Sequence, residues 1–327
     1  MPDIKVGLIG GSGLGEALGK ATDGIRHEID TPFGEPSDAI VETEWAGLQV
    51  MFLSRHGPGH LLSPSQVPYR ANVFALKQLG CTHILASGAV GSLREEYKPR
   101  DLVIADQVID KTHLRAGTFY DNAAVHVEFA EPFCPVLRRM LVEAGKGSGF
   151  KGQGSGNADV GRIASSSSSL NPEPRTLNPF AIHDRGCYVA MEGPAFSTRA
   201  ESMMHRLWGG DLIGMTAMPE AKLAREAEIS YALIALVTDY DSWRPAAKGH
   251  AVDPFALLQE IIGHLKEASH NAISLMRRTV ELMAARRDEL EKCPAQHALK
   301  LAIWSDKAKI DPREVQRLSP LWMKYFG

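Results

Sequence analysis

The chain has 327 residues, of which 23% are charged, and a formal net charge of −3. That length buries a large core, while the near-balanced charge leaves no electrostatic footprint for nucleic acid or an anionic membrane, so small molecules are the expected partners. Cys81, Cys134, Cys187 and Cys293 stand far apart with no CxxC pair, which argues against a zinc site or a disulfide framework and makes a reducing cytoplasm the expected compartment.

The opening Met1-Pro2-Asp3-Ile4-Lys5 moves straight toward a strand and lacks the basic, apolar and small-residue series of a signal peptide. No apolar run approaches the ~20 residues that a membrane span needs. Short apolar runs predict strands near Lys5 to Ile9, Gln49 to Ser54, His83 to Ser87, Leu102 to Ile109, Tyr188 to Met191, Leu212 to Met215 and Ser230 to Val237. Apolar residues at helical spacing predict helices over Tyr69 to Leu79, Val136 to Ala144, Ser197 to Trp208 and Pro219 to Ala227. Asp253-Pro254 supplies an N-cap and an N1 proline for a longer helix whose Leu257, Leu258, Ile261, Ile262 and Leu265 form a stripe read as core packing. This alternation predicts an α/β fold.

Gly145 to Pro179 breaks the pattern. It is rich in Gly and Ser, holds five consecutive serines at Ser165 to Ser169 and repeats Leu-Asn-Pro at Leu170 and Leu177. Such a composition predicts a flexible surface insertion. Asp311-Pro312-Arg313-Glu314 predicts a short helix late in the chain, with Leu321, Trp322, Tyr325 and Phe326 to bury. The expected organisation is one domain over residues 1–290, interrupted by the insertion at 145–179, and a helical extension over 291–327.

Five fragments carry possible chemistry. Gly10-Gly11-Ser12-Gly13 follows the first strand, as a tight turn or as an anion cradle of backbone N–H groups and a hydroxyl. A GxGxxG dinucleotide fingerprint fails in both registers, with Glu16 or Leu18 at the third glycine position. Arg55-His56-Gly57 directly follows the next strand, where a bidentate guanidinium and an imidazole donor would clamp phosphate. Ser87-Gly88-Ala89-Val90-Gly91-Ser92 lets a ligand approach backbone, and Thr216 offers another hydroxyl. Finally Thr238-Asp239-Tyr240-Asp241 places two carboxylates at a strand's carboxyl end, where ligands of α/β sheets gather.

Taken in order, these fragments resemble the 5'-methylthioadenosine phosphorylase family, of the trimeric branch of the purine nucleoside phosphorylases. Tyr69-Arg70-Ala71-Asn72, Gly91-Ser92-Leu93-Arg94-Glu95-Glu96, Ala130-Glu131-Pro132-Phe133-Cys134-Pro135, Glu192-Gly193-Pro194, Phe196-Ser197, Met215-Thr216, Pro219-Glu220 and Asp241-Ser242-Trp243 extend the likeness to about Arg277. The resemblance implies a single α/β domain with a mixed, distorted central sheet flanked by helices. It implies a phosphate site of Ser12, Arg55, His56, the Gly88-Ala89 backbone and Thr216, and a ribose contact at Met215. Phe196 and Ser197 would wall the base pocket, and Asp239, Tyr240 and Asp241 would face the purine. His60, Val252 and Phe255 would surround the 5'-substituent, and His126 would reach that pocket from a neighbouring subunit of a homotrimer. Gly88 stands where the family often has a hydroxyl residue, and Ala195 where it often has arginine.

The implied reaction is phosphorolysis of methylthioadenosine to adenine and 5-methylthioribose 1-phosphate, with inorganic phosphate as co-substrate and neither metal nor organic cofactor. It needs an oriented anionic nucleophile and a proton source at purine N7. Asp239 supplies that proton only if burial beside a second carboxylate raises its pKa. An ionised carboxylate accepts from a 6-amino group and repels a 6-oxo group, so the acidic pair selects aminopurines. An apolar 5'-pocket discriminates against a hydroxyl by only about a hundredfold, so adenosine would leak through. The alternatives are a broader purine nucleoside phosphorylase, a nucleoside-binding protein and a nicotinamide-dependent dehydrogenase; the phosphate set argues against the second and the failed glycine register against the third.

Overall fold

The computed structural model describes residues 4–11, 24–146, 180–244 and 253–326. Among these, eleven strands form one sheet. In chain order they are β1 (Lys5–Gly10), β2 (Ile25–His27), β3 (Ile40–Trp45), β4 (Leu48–Ser54), β5 (His83–Ser92), β6 (Leu102–Ile104), β7 (Gln107–Asp110), β8 (Ile182–His183), β9 (Cys187–Ala190), β10 (Leu212–Gly214) and β11 (Ser230–Tyr240). The helices are α1 (Tyr69–Gln78), α2 (Pro135–Lys146), α3 (Arg199–Leu207), α4 (Glu220–Glu226), α5 (Pro254–Ala285), α6 (Arg287–Leu290), α7 (Pro312–Arg317) and α8 (Ser319–Trp322). The mixed sheet flanked by helices is the predicted fold class.

The sheet forks at β5. Its first half, His83 to Ala86, pairs in parallel with β1, and its last two residues, Gly91 and Ser92, pair antiparallel with β10. On the opposite edge β11 accompanies β5 in parallel along its whole length. Among the described residues, 87–90 are therefore left without a neighbouring strand on one edge, a gap of the kind where α/β sheets bind ligands. Small side chains suit that position: Gly88 and Ala89 leave the backbone approachable.

Strand alternation divides the core into two layers. Tyr231, Leu233, Ala235 and Val237 of β11 face one, which contains Phe74 of α1, Leu223 of α4 and Trp322 of α8. Ala232, Ile234 and Leu236 face the other, which contains Leu137 and Met140 of α2 and Leu275 and Met276 of α5. The period of two fits a strand buried on both faces. Between Val237 and Asp239 the β11 register shifts by one residue, a bulge at Thr238.

The predicted run Leu102 to Ile109 is two strands. Asp106 accepts from Gly186 N at 2.8 Å, β6 pairs with β8 and β11, and β7 joins β9 instead. The stripe near the start of α5 also differs from expectation. Leu257, Leu258 and Ile262 are about half exposed, and burial of α5 in the core begins near Ala268. The layer faced by Ala232, Ile234 and Leu236 of β11 is covered by the later turns, through Ala268, Ala272, Leu275 and Met276.

Asp311 caps α7, accepting from Arg313 N at 2.8 Å, as its Asp-Pro sequence predicts. Trp322 is wholly buried and packs on Tyr120 with ring centroids 4.8 Å apart. Glu228 accepts from Leu299 N at 3.0 Å and Tyr325 Oη at 2.7 Å, and pairs with Lys324 Nζ at 2.5 Å. Of the predicted insertion, Gly145 and Lys146 end α2; residues 147–179 lie outside the described residues.

Candidate active site

The β5 gap gathers side chains from four elements. Arg55 follows β4, and its guanidinium is wholly buried. Nε and Nη2 donate to the two Glu220 carboxylate oxygens at 2.7 and 2.8 Å, and Nη1 donates to Ser87 O at 2.7 Å. Burial alone would lower the Arg55 pKa; the Glu220 carboxylate more than offsets it and holds the charge in place. Three of five N–H donors are thus committed, leaving one on each Nη for a ligand. Tyr231 Oη also donates to Glu220, at 2.8 Å.

Gly11, Gly88 and Thr216 close around that fork. A Cβ built on Gly11 would lie 3.1 Å from Arg55 Nη1, and one on Gly88 would lie 3.1 Å from Thr216 Oγ1. Ser12, the next residue of the glycine turn, is outside the described residues, and so is Val252.

His56 lies beside Arg55. Burial, then the Arg55 charge, pushes its pKa down to about 4, so the ring is neutral near pH 7. Its Nδ1–H donates to Leu62 O at 2.8 Å, because a carbonyl can only accept. Nε2 therefore presents a lone pair, not the donor expected from the sequence. The exposed His60 ring stacks on His56 at 4.2 Å.

The acidic pair sits beyond the other end of the gap. Asp239 lies opposite Gly91, and a Cβ on Gly91 would meet Asp241 Cβ at 3.4 Å. Burial raises the Asp239 pKa, with the Asp241 charge adding to it, against a 2.6 Å hydrogen bond from Thr238 Oγ1. His264 of α5 donates Nδ1–H to Thr238 O at 2.9 Å. Asp241 Oδ2 is buried without a partner. Tyr240, half-buried, pairs with Ser92 and donates its hydroxyl to Glu95 O at 3.3 Å.

Ser242 Oγ donates to Ser197 O at 2.9 Å, tying the acidic strand end to the segment before α3, and Ser197 Oγ meets Met191 Sδ at 3.8 Å. Phe196 beside it is 84% exposed and Phe255 is 68% exposed, so neither is packed into a pocket wall in the single chain. His126 is exposed and packs edge-on against Trp304 of the late segment, centroids 4.7 Å apart. Ala195 is an exposed loop residue.

Two further groups hold the site: Arg115, which carried no sequence signal, and Glu192, which was visible only within the Glu192-Gly193-Pro194 motif. Arg115 donates to Met218 O at 2.7 Å, to Met215 O, and to Glu192 Oε1 at 3.0 Å, so one guanidinium fixes the half-buried Met215 segment. Glu192 also accepts from Ser65 Oγ and from His113 N at 2.8 Å. Burial works against ionisation there, but the hydrogen bonds from Ser65, His113 and Leu114 and the Arg115 charge bring its pKa down to about 2. Gly193 has φ +70°, and a Cβ there would lie 2.5 Å from Met215 Sδ, so close approach and backbone conformation both demand glycine. Among the described residues no cluster of His, Cys, Asp or Glu could hold a metal ion.

Residues 5–281 match the phosphorylase superfamily. An S-methyl-5'-thioadenosine phosphorylase of Synechocystis sp. is 42% identical over 329 residues, covering 100% of this chain and 89% of the relative. The crystal structure of a methylthioadenosine phosphorylase from an Antarctic soil metagenomic library superposes with a TM-score of 0.79 at 40% identity, covering 98% of this chain and 99% of the other. Methylthioadenosine phosphorylase from Schistosoma mansoni in complex with adenine superposes with a TM-score of 0.78 at 35% identity, covering 92% and 99%. With the forked sheet and its site, these likenesses make the chain a member of the phosphorylase superfamily and, within it, of the S-methyl-5'-thioadenosine phosphorylase family.

Proposed function

We propose that the chain catalyses phosphorolysis of S-methyl-5'-thioadenosine to adenine and 5-methylthioribose 1-phosphate, a salvage reaction. The observation that carries this reading is the division of labour along one short stretch of β5. Beside Ser87 and Gly88 lie Arg55 and Thr216; beside Gly91 lie Asp239 and Asp241. Three residues of strand span about 10 Å, which separates an anion site from a base-reading site and leaves the sugar between them.

The two free Arg55 N–H groups, Thr216 Oγ1 and the Gly88-Ala89 backbone hold phosphate below C1' of the sugar, in position for in-line attack. His56 Nε2 accepts from a phosphate hydroxyl. As the C1'–N9 bond breaks, positive charge spreads over the sugar and the electron pair moves onto the purine. Asp239, its pKa raised by burial, delivers a proton at N7. Asp241 accepts from the 6-amino group. Phosphate oxygen then forms the new bond at C1', and adenine leaves neutral. No metal or organic cofactor takes part.

The exposure of Phe196, Phe255 and the His126–Trp304 pair supports a homotrimer in which His126 reaches the neighbour's 5'-pocket. The reading also includes a cytoplasmic location; no helix among the described residues is long and apolar enough to cross a membrane. Residues 1–290 are assigned to the catalytic domain and 291–327 to a helical extension.

The decisive assay incubates the protein with methylthioadenosine, with and without phosphate, and follows adenine by chromatography. Adenine only with phosphate is the expected result. No adenine in phosphate overturns the assignment, and adenine without phosphate makes the protein a hydrolase.

A further inference from the structure

Asp241 and helix α3 carry buried polar atoms of opposite character that have no partner among the described residues. Asp241 Oδ2 is one. His205 Nδ1, on α3, is another, in a side chain 1% exposed. Ser202 Oγ, one turn earlier on the same helix, is a third. Buried polar atoms are nearly always paired, and leaving one unpaired is costly.

The His205 tautomer follows from its other nitrogen. Lys111 Nζ lies 2.8 Å from His205 Nε2, and an ammonium can only donate, so Nε2 accepts and the ring proton sits on Nδ1. Burial and then the Lys111 charge lower the His205 pKa, which keeps the ring neutral, while the Asp241 and Glu201 charges act the other way. Nδ1–H is thus a buried donor on a helix that passes the strand end carrying Asp241: the guanidinium of Arg206, the next residue, lies 3.8 Å from the Trp243 ring centroid, and Trp243 Nε1 and Asp241 N both donate to Ser92 O, at 2.8 and 3.0 Å. Lys111 is itself held, directly after β7, with Nζ 5.3 Å from the Trp208 ring centroid and its backbone N–H donating to Ala190 O at 2.9 Å.

We propose that Lys111 and His205 are positioning residues for Asp241: in the ligand-bound enzyme His205 Nδ1–H, directly or through one water beside Ser202, donates to Asp241 Oδ2 and aims the other carboxylate oxygen at the exocyclic amino group of the base. This rests on the assignment of Asp241 to base recognition given above. A carboxylate held from behind cannot rotate to avoid a 6-oxo group, so the pair enforces preference for 6-amino over 6-oxo purines. Lys111 acts only through the tautomer, since without it the ring proton is free to move to Nε2 and turn a lone pair on Asp241.

The test has one arm independent of catalysis. In protein labelled with 15N-histidine and supplied with adenine and phosphate, the Asp241→Ala variant should shift the His205 Nδ1 resonance and speed exchange of its proton relative to the parent under the same conditions; unchanged shift and exchange overturn the contact, whatever reaction the protein performs. In the kinetic arm, His205→Phe and Lys111→Met should each reduce the ratio of kcat/KM for methylthioadenosine over methylthioinosine about tenfold, and His205→Asn, which retains an N–H near Nδ1, should restore it. An unchanged ratio in both Phe and Met variants overturns the specificity role. Should His205→Phe fail to fold, the half-buried Lys111→Met variant decides the kinetic arm alone. If no nucleoside is cleaved by the parent protein, the reading of function fails while the resonance arm still judges the contact.

Discussion

Arg55 and Glu220 form a two-pronged ion pair with no solvent exposure on either side chain. The pair is internally neutral, and the neighbouring His56 is neutral as well. A bound phosphate therefore meets oriented N–H groups more than net positive charge. Glu220→Gln leaves a buried guanidinium uncompensated and should cost about 3–5 kcal/mol of stability. Phosphate then supplies the missing negative charge, so denaturant unfolding should show a larger stabilisation by phosphate in the variant than in the parent.

Gly88 offers a separation of affinity from stability. A Cβ there lies 3.1 Å from Thr216 Oγ1, so Gly88→Ala pushes that hydroxyl aside by a few tenths of an ångström. Alanine is otherwise at least as good as glycine within a strand. The variant should lose about tenfold in kcat/KM for phosphate, with a melting temperature no lower than the parent's.

Asp239→Asn removes the carboxyl proposed to deliver the proton at N7, whose pKa burial raises. The amide oxygen still accepts from Thr238 Oγ1, so the fold should persist. Turnover of methylthioadenosine should fall by about 10²–10⁴, and the ratio of adenosine to inosine cleavage should move toward inosine. Steady-state kinetics on the four nucleosides with amino or oxo base and hydroxyl or methylthio sugar would measure both.

Glu226 gives a pH-dependent stability. Burial raises its pKa from 4.5 to about 7, against a hydrogen bond from Phe119 N. A carboxyl with a raised native pKa binds its proton more tightly folded than unfolded. Its contribution is most favourable at low pH and is lost as pH climbs from about 4.5 through about 7, by about 3 kcal/mol in all. Glu226→Gln removes that loss, so its stability relative to the parent should rise between pH 5 and pH 8 in urea titrations.

Much of this architecture was legible in the residues. Seven apolar runs gave strands and five periodic segments gave helices, because β5 and β11 are continuous apolar stretches and α2 and α3 are amphipathic. Asp253 and Asp311 cap their helices as Asp-Pro sequences require. The polar run Ile40–Trp45 hid β3, whose partner β4 covers it only by register, and Ile25–His27 is too short to signal itself. Of the residues that the structure gathers around the β5 gap, strand ends singled out Arg55, Asp239 and Asp241. Glu220 was visible only as part of a motif, and Arg115 not at all. Their function depends on partners 165 and 100 positions away in sequence, Arg55 and Met215, and no local spacing encodes such pairs. The His56 tautomer was also hidden, since the carbonyl of Leu62 decides it.

Trp322 belongs to the same packed layer as Ile9, which has a consequence for biosynthesis. Chains emerge from the ribosome amino end first, yet this layer is sealed only when residues 318–322 arrive. Until then the apolar face of α1 and the Tyr120 ring that they cover remain open to solvent, and the contacts awaiting them are long-range and slow to form. A nascent chain paused short of Leu318 should carry a large sticky surface despite having every residue of the proposed site already translated.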